Sequence, residues 1–487
     1  MADRLEPYRG KRDFEATPEP GGDGEPAEHA GGRFVVQEHH ARALHWDLRL
    51  ERDGVLVSWA VPKGLPADPR TNHLAVHVED HPLSYIDFAG EIPAGSYGAG
   101  SVSIWDAGTY DTLKFREDEV MVVLHGERVS GRYVLFRTRG KDWMIHRMDP
   151  PQDPDWEVLP GGLRPMLARL GHMPPDDERY GFEIKWDGIR ALVRVEGGRL
   201  GLETRTGKDV TARYPELRPL GEALGSRPAL LDGEIVAFDG AGRPSFGLLQ
   251  SRMGLTSESA VRRAARDVPV VLMLFDVLHL DGRSALRRPY AERRELLEGL
   301  ELSGPSWQTP AYHRGDGAAL LALSREQGLE GVVAKRLDST YEPGSRPGTW
   351  VKLKNHHEQE LVIGGYLPGQ GARSGRVGAL LVGYFDAPAA EAEAAGEPQR
   401  LVYAGRVGTG FSEETLLRLS ELLEPLRRER SPFHGRQPPR ASVWVEPELV
   451  AQVEFAEWTH TRTLRAPSFK GLRTDKPATD VVLEGAR

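Results

Sequence analysis

The stretch Phe182 to Arg190, FEIKWDGIR, sets a lysine beside a carboxylate and just ahead of a glycine. Phe182, Ile184 and Trp186 alternate with Glu183, Lys185 and Asp187, the period of a strand carrying its three charged side chains on one face. A side-chain amine becomes a nucleophile where its surroundings let it shed a proton. Gly188 marks a strand end or tight bend, which suits an amine attacking something held close to the backbone. So short a pattern also fits an ordinary solvated strand face.

A second constellation lies nearer the N-terminus. His45, Asp47 and Arg49 alternate with Trp46, Leu48 and Leu50, so one strand face is apolar and the other presents an imidazole, a carboxylate and a guanidinium. His39 precedes it, and a later segment supplies Glu79, His81 and Tyr85. Histidine and carboxylate hold hard or borderline metals, while arginine and tyrosine bind phosphate oxygens. The set reads as a metal-assisted phosphoesterase site, against the alternative of satisfied polar residues at strand ends.

The elements that must position these groups follow from composition and pattern. A chain of 487 residues implies two to four domains, and Gly 55 with Pro 36 points to many turns and short strands. Cys 0 excludes disulfides and thiolate metal sites, leaving His, Asp and Glu as ligands. No apolar run approaches a membrane span and no apolar segment follows Met1, so the expected location is the cytoplasm. A net charge of −9 argues against a chain that is basic throughout. Even so, Thr461 to Lys476 gathers Arg462, Arg465, Lys470, Arg473 and Lys476 against the single acid Asp475. That run is a local anion-binding patch or a solvated tail.

Arg9 to Arg33 is rich in Gly, Pro and Glu, and Gly21 to Gly32 reads as a loop. From Phe34 to about Asp149, short alternating runs separated by turn residues predict a small all-β barrel or sandwich. Asp149 to Pro165 reads as a linker. From Met166, strand-like runs alternate with helix-like stretches such as Pro289 to Leu300, which puts Tyr290, Leu296, Leu297 and Leu300 on one side. This predicts an α+β or mixed α/β region. From about Glu358 the strands are short again, with a loop at Asp386 to Arg400 and a helix at Ser412 to Arg428 carrying Leu416, Leu419, Leu423 and Leu426. Strands interrupted by one helix suit an OB-type barrel. The expected domains are 1–149, 166–356 and 357–487, with 150–165 as linker.

Around Lys185 a set of motifs recurs in order: Arg205 in TRTGKD, Glu234 in LLDGEIVAFD, Phe275 and Asp276 in LFDVLHLDG, Glu330 in EGVVAKR, and Lys352 with Lys354 in WVKLKN. The ordered set resembles the covalent nucleotidyltransferases, the superfamily of ATP-dependent DNA ligases, RNA ligases and capping enzymes. Attack by Lys185 on the α-phosphorus of ATP needs a neutral amine, and Lys352 and Lys354 are expected to disfavour a third ammonium nearby. Their charge would also neutralise phosphate oxygens as pyrophosphate leaves. Glu234 and Glu330 have the chemistry for a ribose hydroxyl and for a divalent metal. Phe275 offers a flat face for adenine. By the resemblance, Glu183 meets the adenine amino group, Arg190 and Arg205 belong to the nucleotide site, Glu234 takes the sugar, and Glu330 the metal side. The competing device, a kinase-type phosphate loop at GLETRTGKD, is one residue too long and has Asp209 in place of Ser or Thr.

The N-terminal region carries a narrower likeness. KRDFEATPEP at Lys11 to Pro20, QEHHARALHWDLRL at Gln37 to Leu50, and VEDHPLSYIDFAGEIPAGSYGAG at Val78 to Gly100 resemble the phosphoesterase module of bacterial end-joining DNA ligases, the ligase D family. That resemblance implies an active site of Arg12, Asp13, Glu19, Gln37, His39, His45, Asp47, Arg49, Glu79, His81 and Tyr85. His39, His45 and Asp47 would be the ligands of a manganese ion used in trimming 3′ ends. RAPSFKGLRTDK at Arg465 to Lys476 is similar to the ligases' C-terminal motif, whose Arg473, Asp475 and Lys476 orient the leaving pyrophosphate. The implied protein has a β-barrel phosphoesterase, an ATP-grasp-like adenylation domain and an OB-fold. It would use ATP with Mg²⁺ or Mn²⁺ to seal DNA nicks or broken ends in nonhomologous end joining. Its implied partners are double-stranded DNA, a Ku-type bridging protein and a separately encoded polymerase or primase, in a nucleoid-associated cytoplasmic setting without a membrane. An RNA ligase, a capping-type enzyme and a non-catalytic DNA-end scaffold are the alternatives.

Overall fold

The computed structural model describes residues 3–22, 32–355, 357–369, 376–439, 441–459 and 461–484. Most of the Gly21 to Gly32 stretch, residues 23–31, lies outside the described residues. The N-terminal region is a barrel of β1 (Arg33–His40), β2 (Leu44–Arg52), β3 (Val55–Val61), β4 (Asn72–His77), β5 (Gly90–Ile92), β6 (Gly100–Phe115), β7 (Glu119–Gly126), β8 (Ser130–Arg139) and β9 (Asp142–Arg147). The strands pair in the order β1-β2-β3-β4-β9-β8-β7-β6-β5, and β6 also pairs with β1, which closes the ring. Phe34, Val36, Trp46, Leu48, Leu50, Val57, Trp59, Val122, Leu135 and Ile145 fill the interior from all sides. The period of two therefore sends His39, His45, Asp47 and Arg49 to the outer face. That face is not open either: Tyr8, Leu56, Tyr85, Ile86 and Phe88 form a second cluster over it.

The middle region holds two sheets. One runs Arg169–Leu170, Trp350–Lys354, Gly331–Arg336, Tyr180–Ile184 and His313–Arg314. The other is built on Arg199–Thr204, Ile189–Glu196, Ala229–Ala237 and Val270–Leu280. The expected strand through Trp186 and Asp187 stops at Ile184, because the chain there leaves the first sheet and enters the second at Ile189. Lys185 to Gly188 is that crossover. Gly188 is required by proximity: a Cβ there would meet the Ile235 carbonyl oxygen at 2.2 Å. The helix Tyr290–Glu298 buries Tyr290, Arg293, Arg294 and Leu297. Leu296 and Leu300 are only partly buried, since two arginines share the inward side.

Residues 150–165 have no helix or strand, yet they are docked rather than free. Arg283 pairs with Asp153 at 2.7 Å, Glu157 N–H donates to the Gly282 carbonyl at 2.6 Å, and Leu159 is buried against Met166 and Trp350. The barrel also touches the middle region through the turn between Ile189–Glu196 and Arg199–Thr204. Gly197 (φ 57°) and Gly198 (φ 69°) take the left-handed conformations of a two-residue hairpin. A Cβ at Gly198 would meet Leu44 of β2 at 2.3 Å. Lys63 pairs with Glu196, and the Trp105 indole N–H donates to Ser226 Oγ, each at 3.1 Å.

The C-terminal sheet is built from His357–Pro368, Val377–Phe385, Leu401–Val407, Val450–Phe455 and Ser468–Arg473 with shorter strands. Its helix is Glu413–Leu423, with Ser412 Oγ accepting from the Thr415 N–H and Leu416, Leu419 and Leu423 buried. It is shorter than expected: Pro425 sits in a tight turn, and Arg427–Arg428 joins the sheet. The expected loop Asp386 to Arg400 contains a helix, Ala389–Ala395, closed by Gly396 at φ 68°. Alanine's helix propensity outweighs the low-complexity signal there.

Candidate active sites

On the barrel, β1 and β2 set His39 directly across from His45, with Asp47 one repeat along on the same face and opposite Gln37. Nitrogen and oxygen atoms of His39, His45 and Asp47 lie within 4.8 Å of one another. His39 Nε2–H donates to the Gly98 carbonyl at 2.8 Å, and His45 Nδ1–H to the Ala43 carbonyl at 3.0 Å. These bonds leave His39 Nδ1 and His45 Nε2 as lone-pair donors, each 3.7 Å from an Asp47 oxygen. Burial alone would raise the Asp47 pKa, but the Arg49 guanidinium outweighs it and holds the carboxyl well below the usual range. Two imidazole nitrogens aimed at a carboxylate fit a divalent cation with positions left open.

Beside this triad stand two arginine hubs. Arg49 donates to Gln37 Oε1 at 2.6 Å, Ser58 Oγ at 3.0 Å and Asp47 Oδ2 at 2.9 Å. Arg12 pairs with Glu19 at 2.8 Å and Glu79 at 3.2 Å, and lies 3.3 Å from His81 Nε2. Tyr85 donates its hydroxyl to Glu19 at 3.0 Å and meets the His81 ring edge-on, with centroids 4.8 Å apart. His81 is held neutral, its pKa pushed far down by burial and then by Arg49 and Arg12. Asp13 departs from the expected set: it is exposed, and its carboxylate accepts from the Glu15 N–H instead of joining these hubs. Ser58, Tyr8, Lys11 and Tyr97 join them unannounced, Lys11 bridging Glu79 at 2.8 Å and the Tyr97 hydroxyl at 3.3 Å. Lys11 and Tyr97 lie within the N-terminal motifs Lys11 to Pro20 and Val78 to Gly100, whereas Ser58 and Tyr8 are brought in only by their place in the fold.

In the middle region the crossover carries Lys185 into a cleft with Asp187, Glu234, Glu330, Lys352, Lys354, Glu360, Arg473 and Glu484. Lys185 is paired with Glu330, and Lys354 lies 3.6 Å from the same carboxylate. The expectation that Lys352 and Lys354 keep the Lys185 amine neutral is not met. Burial would lower the Lys185 pKa, but Glu330 raises it above the ordinary lysine value, outweighing any repulsion from Lys352 and Lys354. Glu234, opposite Arg190 on the neighbouring strand, makes no hydrogen bond among the described residues, and burial pushes it up to about 8. Burial, with Glu330 and Glu358, pushes Asp187 to about 7. A buried carboxyl without a partner beside a charged one suits a sugar hydroxyl or a shared cation.

The expected base-binding groups are present but engaged. Glu183 is held by Lys335 at 2.7 Å and by the Tyr290 hydroxyl. Arg190 forks onto Asp232 at 2.6 and 2.7 Å and lies 4.5 Å over Phe275. Phe275 is 7% exposed, with the Lys335 ammonium 4.3 Å from its ring, so the flat face expected to be open is largely covered. Lys335, inside the EGVVAKR motif, went unassigned because strand alternation does not reveal a fully enclosed lysine. Arg473 forks onto Asp475 at 2.9 and 2.8 Å, and Lys476 pairs with Glu360 at 2.5 Å. Against its burial, Glu360 is held well below the usual range by Lys476, Arg473 and Arg205, which places Arg205 on this side of the cleft.

Comparison with known proteins matches all three regions. Residues 37–137 match the DNA ligase D 3′-phosphoesterase domain, 165–354 the ATP dependent DNA ligase domain, and 373–476 the ATP dependent DNA ligase C terminal region. The chain is 48% identical over 492 residues to the multifunctional non-homologous end joining protein LigD of Mycobacterium bovis, covering 99% of this chain and 62% of that protein. The LigD protein of Pseudomonas aeruginosa is 38% identical over 539 residues with the same coverage, 99% and 62%. The chain thus spans about three-fifths of the length of these curated relatives. A solved structure, mycobacterial DNA ligase D complexed with ATP and MES, is 42% identical over 66% of this chain and 98% of its own, with a TM-score of 0.49.

Proposed function

Because the chain belongs to the bacterial end-joining DNA ligase D family, we propose that it is an ATP-dependent DNA ligase joined to a 3′-end phosphoesterase. The observation that carries this reading is the cleft in which Lys185, paired with Glu330, faces Lys352, Lys354 and Arg473. Lys185 Nζ forms a bond to the α-phosphorus of ATP as the bond from that phosphorus to the bridging oxygen breaks and pyrophosphate departs. The proton that must leave Nζ lies on the Glu330 side. Lys352, Lys354, Arg473 and Lys476 supply the positive charge that the departing pyrophosphate needs. AMP then passes to a DNA 5′ phosphate, freeing Lys185, and a 3′ hydroxyl displaces it to close the strand. Glu330 and Glu234 would hold a divalent cation, which neutralises phosphate charge when bound.

On the barrel, His39, His45 and Asp47 would hold manganese, and the Arg12 and Arg49 hubs would bind the phosphate of a 3′ end. We read the middle region as an ATP-grasp-like adenylation domain and the C-terminal sheet as an OB-type barrel, with boundaries at 149, 165 and 356. Double-stranded DNA with nicks or ends, a Ku-type bridging protein and a separate polymerase are the proposed partners, at the nucleoid in the cytoplasm. Among the described residues no helix is long and apolar enough to cross a membrane. Incubating the purified protein with ATP and Mg²⁺ should add the mass of one AMP. No gain in mass overturns the ligase assignment.

The C-terminal motif gives a sharper test. Arg473→Ala with Lys476→Ala removes two cations and leaves Asp475 and Glu360 unpaired at the cleft. Enzyme adenylation should fall by about a hundredfold if each of the two charge-assisted contacts is worth roughly 1.5 kcal/mol in the transition state. Sealing of a pre-adenylated nick should fall much less, because pyrophosphate leaves only in the first step. Equal losses in the two assays would mean that this basic segment simply holds DNA.

A further inference from the structure

Lys352 is occupied by a residue from beyond the last matched family region, which ends at residue 476. Its Nζ lies 2.8 Å from Glu484 Oε1. The segment that delivers this carboxylate is firmly docked. Val481 is fully buried, and its carbonyl accepts from the Phe385 N–H at 2.8 Å. The Gln359 side chain spans Leu483, donating to the Val482 carbonyl at 3.0 Å and accepting from the Glu484 N–H at 3.3 Å. Glu484 itself is 11% exposed, and its second oxygen, Oε2, is buried without a hydrogen-bond partner among the described residues. A carboxylate oxygen left unpaired in this way is unfavourable by itself. What keeps it there is the Lys352 ammonium.

We propose that Glu484 competes with a phosphate of ATP for Lys352: its carboxylate pairs with that ammonium and must leave before the nucleotide binds, so it sets the apparent affinity for ATP. This rests on the cleft being an ATP site. Two anions cannot share one buried ammonium without strong mutual repulsion. Among the described residues Lys354 has no such occupant from beyond residue 476: its Nζ donates to the Glu358 carbonyl at 2.7 Å and faces Glu330. Because Gln359 and Phe385 belong to the C-terminal sheet and Lys352 to the five-stranded one, the Glu484–Lys352 pair also ties the two together. Exchange of carboxylate for phosphate would release that tie as the nucleotide arrives.

The test compares wild type, Glu484→Gln, Glu484→Asp and Glu421→Gln as full-length chains, measuring lysine adenylation against ATP concentration and inhibition by inorganic pyrophosphate. Glu421 is exposed on the helix Glu413–Leu423, so its variant makes the same charge change away from the cleft. If the carboxylate fills the site about nine-tenths of the time, Glu484→Gln should lower the KM for ATP about tenfold. The rate at saturating ATP should change less, and pyrophosphate should inhibit at lower concentration. Glu484→Asp should keep a KM closer to wild type, and Glu421→Gln should match wild type. An unchanged or raised KM in Glu484→Gln overturns the proposal, as does an equal fall in Glu421→Gln. Failure of the wild type to form any AMP adduct would instead overturn the ligase reading on which it rests.

Discussion

Lys185→Ala should gain no AMP from ATP and Mg²⁺, and should fail to seal an ordinary nick, while still closing a nick that already carries AMP. The loss is complete because no neighbouring side chain can substitute as nucleophile. Lys354 is held by the Glu358 carbonyl and Glu330, and Lys352, once Glu484 leaves it, pairs with the phosphates of ATP instead of attacking them. Closure of a pre-adenylated nick involves attack by the DNA 3′ hydroxyl, which needs no lysine. Lys185→Arg should be equally inert in the first step, since a guanidinium does not become neutral in a protein. Removing the amine leaves Glu330 buried at the crossover with Lys354 at 3.6 Å as its remaining cation. The pre-adenylated substrate therefore also reports whether the cleft keeps its shape. An Ala variant that still acquires one AMP would move the nucleophile elsewhere.

What the sequence made legible was whatever repeats locally. The two-residue period of β2 told which side chains share a face, and the register with β1 then brings His39, His45 and Asp47 together. It could not tell that this is the outer face of the barrel, nor that residues 3–22 and the turn Leu83–Asp87 fold back to bury it. Tyr8 and Lys11 enter the site through that folding back, a contact between segments far apart in the chain, whereas Ser58 comes from β3, directly opposite Arg49. At Lys185 the motif was readable but its geometry was not. The strand ends at Ile184 because the chain must change sheets, and the need for Gly188 arises from the Ile235 carbonyl 47 residues later in sequence. The charge state of Lys185 failed for a related reason. Counting nearby lysines omitted Glu330, whose carboxylate is brought into direct contact by the strand Gly331–Arg336 lying beside Tyr180–Ile184. Glu484 belongs to no motif, so only its docking on Gln359 reveals it.

His45→Ala should abolish metal-dependent 3′ trimming while leaving the sealing of clean nicks intact. Its Nε2 is one of three donors converging with His39 and Asp47, and its orientation is fixed by the bond to the Ala43 carbonyl. Loss of a group that only orients a ligand commonly costs about 10–100-fold in metal affinity or activity. Loss of a ligand should cost at least as much, so trimming at limiting manganese should fall by about a hundredfold or more. Excess manganese should restore part of it, because His39 and Asp47 remain. Their own supports, the Gly98 carbonyl and Arg49, do not depend on His45. The two activities should separate, because among the described residues the ligase cleft takes no side chain from the barrel. The prediction is nevertheless demanding, since the adjacent Leu44 packs against Gly198 at the turn where barrel and middle region meet. Both reactions should therefore be followed in one preparation, on 3′-phosphate and 3′-hydroxyl nicks. Trimming equal to wild type would remove His45 from the metal site. A parallel loss of sealing would mean that the docked turn, not the metal, transmits the effect of the substitution.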